Sequence, residues 1–470
     1  MFLAMGLPYD DIHLIADPLY GYLRISVPRE SGEVAEATVI DDPWVQRLKR
    51  IHQLQSSWWV FPTAEHSRFA HSLGAMHLAG EFGLHLYETL VTVAPDTPSP
   101  ALVEETLRMA GLLHDVGHGP FSHFFDDQYL HPRFGLDHEL LSQHVIVNEL
   151  GELLSGLTRS PHGSFAPGER IDPRHVAWLI RARSDDLGEV PRWVELLHAV
   201  LSGAVTADNM DYVRRDAFMC GVSLAAVDVP RLVYYSFCTA DGLTFHKRAL
   251  NALRAFLNAR FYMYENVYFH RIGHAIDLHM REIFADTMES VLPRSPLDDL
   301  AAYRHLTEWS LFTEVERWRD DPGSTPKRRR LGDEWQRIIH RDVKYRMVYE
   351  QAIERVSLPA GAGEWTREQF HARIVERLPA GLRGIDFVCD VASQDPRPLN
   401  PMVGPKRIPI YDPATGQVEE ELLTGILEFV PAKAHLYRVF ATTHEHDREL
   451  ADAARRALTD GAAEASLTNL

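Results

Sequence analysis

The chain has 470 residues, of which 45% are hydrophobic and 24% charged, with a formal net charge of −18. This is a globular composition, with enough chain for a large core and more than one lobe. The acidic balance argues against coating of nucleic acid through clustered Lys and Arg, and three cysteines (Cys220, Cys238, Cys389) exclude a disulfide scaffold or a Cys-rich zinc site.

Ile12–Val27 alternates and predicts a β-hairpin, the arm of a first segment, 1–45. Pro43 marks a helix start before Trp44–Gln53. Helices are then expected over Ser72–Leu90, Leu102–Leu113, Leu136–Leu154, His175–Ile180, Trp193–Leu201, Asp208–Asp216 and Leu250–Met288, with Pro/Gly/Ser breaks at 93–100 and 160–168. Strands are expected within Arg231–His246, at Ile385–Val391 and at Leu436–Ala441, with a turn at Asp412–Gly416 and a frayed tail from Glu464. The basic run Lys327–Arg330 is expected in a solvated loop. The fold class is mainly α: a helical core (46–295) with a small β N-terminal arm and a smaller α/β C-terminal lobe (296–470). Met1–Pro8 is apolar but lacks a basic region, so no signal peptide is expected. No apolar run reaches the ~20 residues that span a bilayer, so no membrane partner is expected, and the cysteine usage fits a reducing cytoplasm.

The chemistry concentrates between residues 66 and 126, where His71 precedes His114-Asp115, followed by His118, His123 and Asp126. Neutral imidazole and carboxylate are the ligands a divalent metal needs for hydrolytic work. A fourth ligand is expected from Asp208, in Thr-Ala-Asp-Asn-Met-Asp-Tyr, although an Asp there also suits a helix N-cap. His114 and Asp115 are neighbours, so on a regular helix their side chains diverge by roughly 100°. They share one ion if it sits near the helix end, where Gly117 and Gly119 let the chain turn. His118 and His123 then lie in irregular chain beside the metal, where a proton donor or phosphate contact is useful.

These strings, with Gln46-Arg47-Leu48, Gln53-Leu54, Val60-Phe61-Pro62, Arg68–Gly74, Asp208–Tyr212 with Arg215-Asp216, and Tyr268–Gly273, resemble the HD-domain phosphohydrolases. Within that group the chain is most similar to the animal and bacterial deoxynucleoside triphosphate triphosphohydrolases. The resemblance runs from about Ile15 to Asp277 and more loosely to Val439, with no sterile-alpha motif expected ahead of it. It implies His71, His114, Asp115 and Asp208 as metal ligands. It places His118, His123, Asp126 and His138 around the α-phosphate, with His123 as general acid oriented by Asp126 and poised near physiological pH. Arg68 and Arg260 would clamp phosphates. Tyr212 and Asp216 would contact the sugar, whose 2′/3′ side Gln53 and Leu54 would line, rejecting a ribose 2′-hydroxyl, and Tyr268 falls on a further substrate-binding position.

The implied reaction is dNTP plus water to deoxynucleoside plus triphosphate. It would need a divalent transition metal (Mn, Fe, Zn, Ni or Co are not distinguished) and, with the triphosphate, Mg. The alternatives are an HD phosphohydrolase acting on a nucleoside monophosphate or alarmone, and a non-catalytic nucleotide-sensing protein. Asn209, Tyr264 and Phe269 replace residues of the animal enzyme's phosphate and base contacts. The resemblance also implies a regulatory nucleotide site at Asp41, Gln46, Lys49, Val60, Phe61, His270 and Arg271, with Lys49 and Arg271 exchanging the usual basic types. A dNTP substrate, a nucleotide activator and a homo-oligomer (dimer, tetramer or hexamer) follow as expected partners, and nucleic acid is not required.

Overall fold

A computed structural model describes residue 9 and residues 11–182, 187–224, 227–354, 365–394, 408–418 and 434–467. Met1–Pro8 and the last three residues of the tail lie outside the described residues. The chain is mainly helical, with an N-terminal hairpin and a C-terminal region carrying further strands.

Two long helices form the centre. Arg68–Val93 packs against Pro100–Leu113, whose residues from Ala101 to Leu113 are all buried. Small residues permit the close crossing. A Cβ on Gly111 would lie 2.7 Å from the Ala75 carbonyl oxygen and 2.9 Å from Met76 Cα, and one on Gly83 would lie 3.2 Å from Glu104 Cα. Close approach brings the end of the second helix beside the start of the first, and the site forms there.

The hairpin pairs Ile12–Asp17 with Gly21–Ser26 in antiparallel register. It docks through Leu23 and Ile25, both buried, and through a buried ion pair. Arg108 Nε donates to Glu36 at 2.5 Å while Arg108 Nη2 donates to the Arg24 carbonyl at 2.8 Å. The other Glu36 oxygen accepts from Ser26 N–H at 2.7 Å, so both ions are paired where desolvation would otherwise penalise them.

One hydrophobic core runs from Leu23 to Ile338 and takes in Ile408 and Ile410. A second joins Phe370, Ile374, Phe387, Tyr437 and Leu450 around a three-stranded antiparallel sheet with Ala434–Ala441 in the middle. Ala275, Leu278, Tyr345 and Phe440 join the two regions, reinforced by His274 and Asp390 at 2.8 Å.

Several expected elements take a different form. Leu250–Met288 is not one helix: Leu250–Met263 passes into a π-turn at Tyr264–Tyr268, then breaks before Arg271–Arg281 and Phe284–Val291. Leu136–Leu154 is likewise interrupted by a π-turn at Val145–Glu149. Val229–Tyr234 is helical rather than strand, because Asp228 caps it and Pro230 occupies its first turn; the strand begins at Ser236. Lys327–Arg330 opens the Pro326–Ile339 helix instead of a loop. Thr325 caps that helix, Lys327 pairs with Asp286 at 2.8 Å, and Arg328 lies over Trp318. All three cysteines are buried and free, and no described helix is long and apolar enough to cross a membrane.

The Gly111 contact is with backbone, which cannot rotate away. Gly111→Ala is expected to destabilise the fold by about 1–3 kcal/mol through overpacking, read as a lowered midpoint in denaturant titration. An unchanged midpoint would contradict the crossing described here.

Candidate metal centre and substrate cavity

His71 stands one turn into the Arg68–Val93 helix, and His114 caps the C-terminus of Pro100–Leu113. Their Nε2 atoms face each other at 3.2 Å. Asp208 Oδ1 lies 3.1 Å from His71 Nε2 and 3.7 Å from His114 Nε2, and Asp115 Oδ1 lies 3.3 Å from His114 Nε2. The four expected ligands therefore converge. Asp208 is not the helix cap, since Thr206 accepts from Asn209 N–H and fills that role.

Both Nδ1 atoms are already committed. His71 Nδ1 pairs with Asp211 at 2.8 Å, and His114 Nδ1 with the Gly111 carbonyl at 2.8 Å. Each Nδ1 is thereby fixed and each Nε2 turned inward, the atom a metal would take once it displaces the proton there. Burial opposes charge on His71, but Asp208 and Asp211 outweigh it and raise its pKa to about 10. Despite its own burial, Asp208 is pushed well down by His114 and His71. Two imidazoles and two carboxylates drawn this close fit a divalent cation in charge and donor type, and His71, His114 and Asp115 hold ligand atoms close enough to share one ion.

Gly117 and Gly119 follow the ligands, but neither has positive φ. Crowding is the reason for glycine instead: a Cβ on Gly117 would lie 2.2 Å from the His138 carbonyl oxygen, and one on Gly119 2.6 Å from the Phe125 ring. The left-handed residues are Phe121 (φ 62°) and Ser122 (φ 55°), an uncommon state for non-glycine side chains.

His118, His123 and His138 cluster beside the metal set. His118 is fully buried, stacks on His138 at 3.7 Å, and turns Nε2 to Asp115 Oδ1 at 3.4 Å. Burial, Arg68 and His138 hold it neutral. Asp126 was expected to orient His123, yet its Oδ2 lies 3.9 Å from His123 Nδ1 and 2.5 Å from His138 Nδ1. The π-turn that begins at Asp126 directs the carboxylate to His138, whose pKa it raises against the lowering effect of burial. His123 is the open member of the trio, its side chain 67% accessible in the cavity, and partial enclosure by the walls together with His138 and Arg68 pushes its pKa down.

A cavity of 520 Å³ opens onto this group, lined by Arg68, His71, His114, Asp115, His123, His138 and Asp208 and also by Gln53, Leu54, Tyr212, Asp216, Arg260 and Tyr268. His118 and Asp126 lie behind its wall rather than on it. Asp216 is buried between His66 Nε2 at 2.8 Å and Tyr268 OH at 2.7 Å. Arg68 is engaged already, donating to Asp115 and, at 2.8 Å, to Ser122 Oγ. The expected regulatory residues form no such enclosure. Phe61 meets His270 edge-on at 5.6 Å with Val60 beside it, while Asp41 and Lys49 are exposed and Gln46 bonds the Ile40 carbonyl.

The residues supporting the site drew no functional expectation from the sequence. Asp211 takes hydrogen bonds from Tyr20 OH at 2.8 Å and from Arg215 at 2.8 and 2.9 Å, besides holding His71. Arg215 also pairs with Asp17 at 2.9 Å, so the hairpin reaches the metal centre. Glu308, fully buried, accepts from Phe121 N–H at 3.0 Å and from His52. The Asp211-to-Arg215 spacing of four on one helix was the one available signal; Tyr20, Asp17 and Glu308 are distant in the chain and gave none.

Removing the Asp211 carboxylate charge frees the His71 tautomer. Asp211→Asn is expected to weaken metal affinity by about 10–100-fold, whereas His114→Ala and Asp208→Ala should abolish retention of the metal. Metal content after dialysis, measured by mass spectrometry on folded protein, checks both; equal retention by all variants would remove the assignment.

The HD-domain family matches residues 68–212. Human deoxynucleoside triphosphate triphosphohydrolase SAMHD1 is 26% identical over 426 residues, covering 82% of this chain and 63% of that protein. The Dictyostelium discoideum homolog is 26% identical over 280 residues, covering 59% and 51%. The uncharacterized protein YwfO of Bacillus subtilis is 30% identical over 240 residues, covering 51% and 48%. The chain thus spans roughly half to three fifths of the length of these relatives. A crystal structure of a hypothetical protein from Aquifex aeolicus superposes with a TM-score of 0.65 at 24% identity, over 95% of this chain and all of that one, and so shares the fold. With the matched segment beginning at Arg68 and ending at Tyr212, it brackets all four converging ligands, and the chain is an HD-domain protein related to the deoxynucleoside triphosphate triphosphohydrolases.

Proposed function

We propose that the protein is a metal-dependent phosphohydrolase that cleaves a dNTP into deoxynucleoside and triphosphate. The observation that carries this reading is the single cavity. It joins the four metal ligands to a histidine acid, two arginines and an Asp216–Tyr268 pair suited to a sugar hydroxyl. Its 520 Å³ lies in the range of small-molecule sites.

His71, His114, Asp115 and Asp208 would hold a divalent cation, which would supply Lewis acidity toward a phosphoryl oxygen. The remaining work falls to the chain's own groups. Arg260, with its Nε buried and unpartnered, meets phosphate oxygens, and Arg68 does so from its anchorage on Asp115 and Ser122. Water attacks the α-phosphorus, the bond to the 5′ oxygen breaks, and His123 delivers a proton to that oxygen. Asp126 raises the basicity of His138 against its burial, and polyphosphate charge beside His123 would raise the basicity of His123 and let it take up a proton. Buried His118, stacked under His138, fixes the ring geometry.

His123→Gln is expected to lower kcat by about 10²–10⁴-fold with little change in metal content. Chromatography of wild-type products should show nucleoside plus triphosphate; nucleoside monophosphate plus pyrophosphate would refute the assigned bond.

The regulatory reading is also a proposal. Phe61, Val60 and His270 offer one half of a nucleotide contact and Asp41, Gln46 and Lys49 another, with a second subunit completing each. A nucleotide there favours the assembly to which it binds more tightly. One dNTP should then accelerate hydrolysis of another, with a matching mass increase by light scattering, and Asp41→Ala should blunt the acceleration without lowering metal content. Strictly additive rates at constant mass would reject activation.

A further inference from the structure

Glu308 is fully buried and lies behind the cavity wall, and the reaction above gives it no part. One carboxylate oxygen accepts from Phe121 N–H at 3.0 Å. The other accepts from His52 N–H at 3.4 Å and faces His52 Nδ1. Donors of this kind offset the desolvation of a buried carboxylate, so Glu308 joins two segments far apart in the chain. It is itself held in place. Thr307 caps the Glu308–Asp320 helix that Glu308 opens, and Arg47 ties the Leu306 carbonyl to those of Val116 and His118.

The two segments meet again at Ser122. This residue follows Phe121 in left-handed backbone (φ 55°), which its side chain disfavours, and its hydroxyl donates to the His52 carbonyl at 3.4 Å. The Ser122 oxygen accepts from Arg68 Nε at 2.8 Å. The His52 segment also pairs with the start of the Arg68 helix, since Arg68 N–H donates to the Ile51 carbonyl and Gln53 N–H to the His66 carbonyl, each at 3.0 Å. Arg68 Nη1 donates to Asp115, so Nε and Nη1 are both committed and Nη2 is left for a phosphate oxygen. Where Nη2 points therefore depends on Ser122 staying where Glu308 holds it.

We infer that Glu308 is a positioning residue for phosphate binding: by clamping Phe121 and His52 it fixes Ser122, and Ser122 fixes the Arg68 guanidinium before substrate arrives. Glu308 itself touches no substrate. Without the clamp, Arg68 would have to be ordered during binding, and immobilising a long, rotamer-rich side chain costs affinity. The inference rests on the proposed role of Arg68 as a phosphate clamp.

Inorganic tripolyphosphate is titrated calorimetrically into the metal-loaded full chain, with KM and kcat for a dNTP measured alongside, in wild type, Ser122→Ala, Glu308→Gln and the double variant. Glutamine keeps an acceptor for Phe121 N–H but sets an N–H donor against the His52 amide. Each single variant should weaken tripolyphosphate binding by about threefold to tenfold, with KM raised more than kcat is lowered. The double variant should bind no worse than the weaker single one, because both changes break one path. A support that only stabilised the fold would lower the denaturation midpoint and leave affinity alone. Wild-type affinity in either folded single variant, or losses that multiply in the double variant, would overturn the inference. Should Glu308→Gln fail to fold, Glu308→Asp takes its place in the cycle, charged but too short to span both segments. If tripolyphosphate binds with this dependence and no dNTP is cleaved, the hydrolase reading falls and the positioning role stands. If wild type binds no tripolyphosphate, the positioning role falls.

Discussion

The Asp211 carboxylate, fully buried, is the interaction on which the rest of the site depends. It receives Tyr20 from the hairpin, Arg215 from its own helix and His71 from the central helix. A buried carboxylate is tolerable only when its lone pairs are filled by charged or polar donors, and here three elements do so. The same contact sets the His71 tautomer, so one network closes the fold and prepares a metal ligand. Gly74 is part of it, since a Cβ there would fall 1.9 Å from Asp211 Oδ1.

A second network holds the loop after the ligands. Phe121 and Ser122 occupy left-handed backbone that their side chains disfavour, and such states persist only where the surroundings over-determine them. Phe121 is fixed by Glu308 on its N–H and by Trp59, Phe312 and Trp335 around its ring. Ser122 then presents its hydroxyl to Arg68, and Arg68 holds Asp115. Through Glu308, the helix Glu308–Asp320 bears on a metal ligand that it does not touch.

The electrostatics of the histidine trio follow from where one carboxylate goes. Burial, the neighbouring His138 that Asp126 holds, and Arg68 push the pKa values of His118 and His123 down, while Asp126 pushes that of His138 up.

Much of this was legible in the sequence because it is local or near-local. The apolar run into His114-Asp115 implied a helix ending at a candidate metal ligand, and the hairpin alternation and the mainly α class followed, while the pairing of distant His71 and Asp208 came from the family resemblance. The tertiary structure decided what depended on side chains meeting across the fold. The π-turns at Asp126 and Tyr264 shift side-chain direction without changing composition, so the partner of Asp126 could not be read from a three-residue spacing. The need for glycine at 117 came from the His138 carbonyl, not from local φ. Tyr20 and Glu308 are ordinary residue types at ordinary positions, and only packing gives each its role, because hydrogen bonds between residues far apart in the chain leave no periodic trace in it.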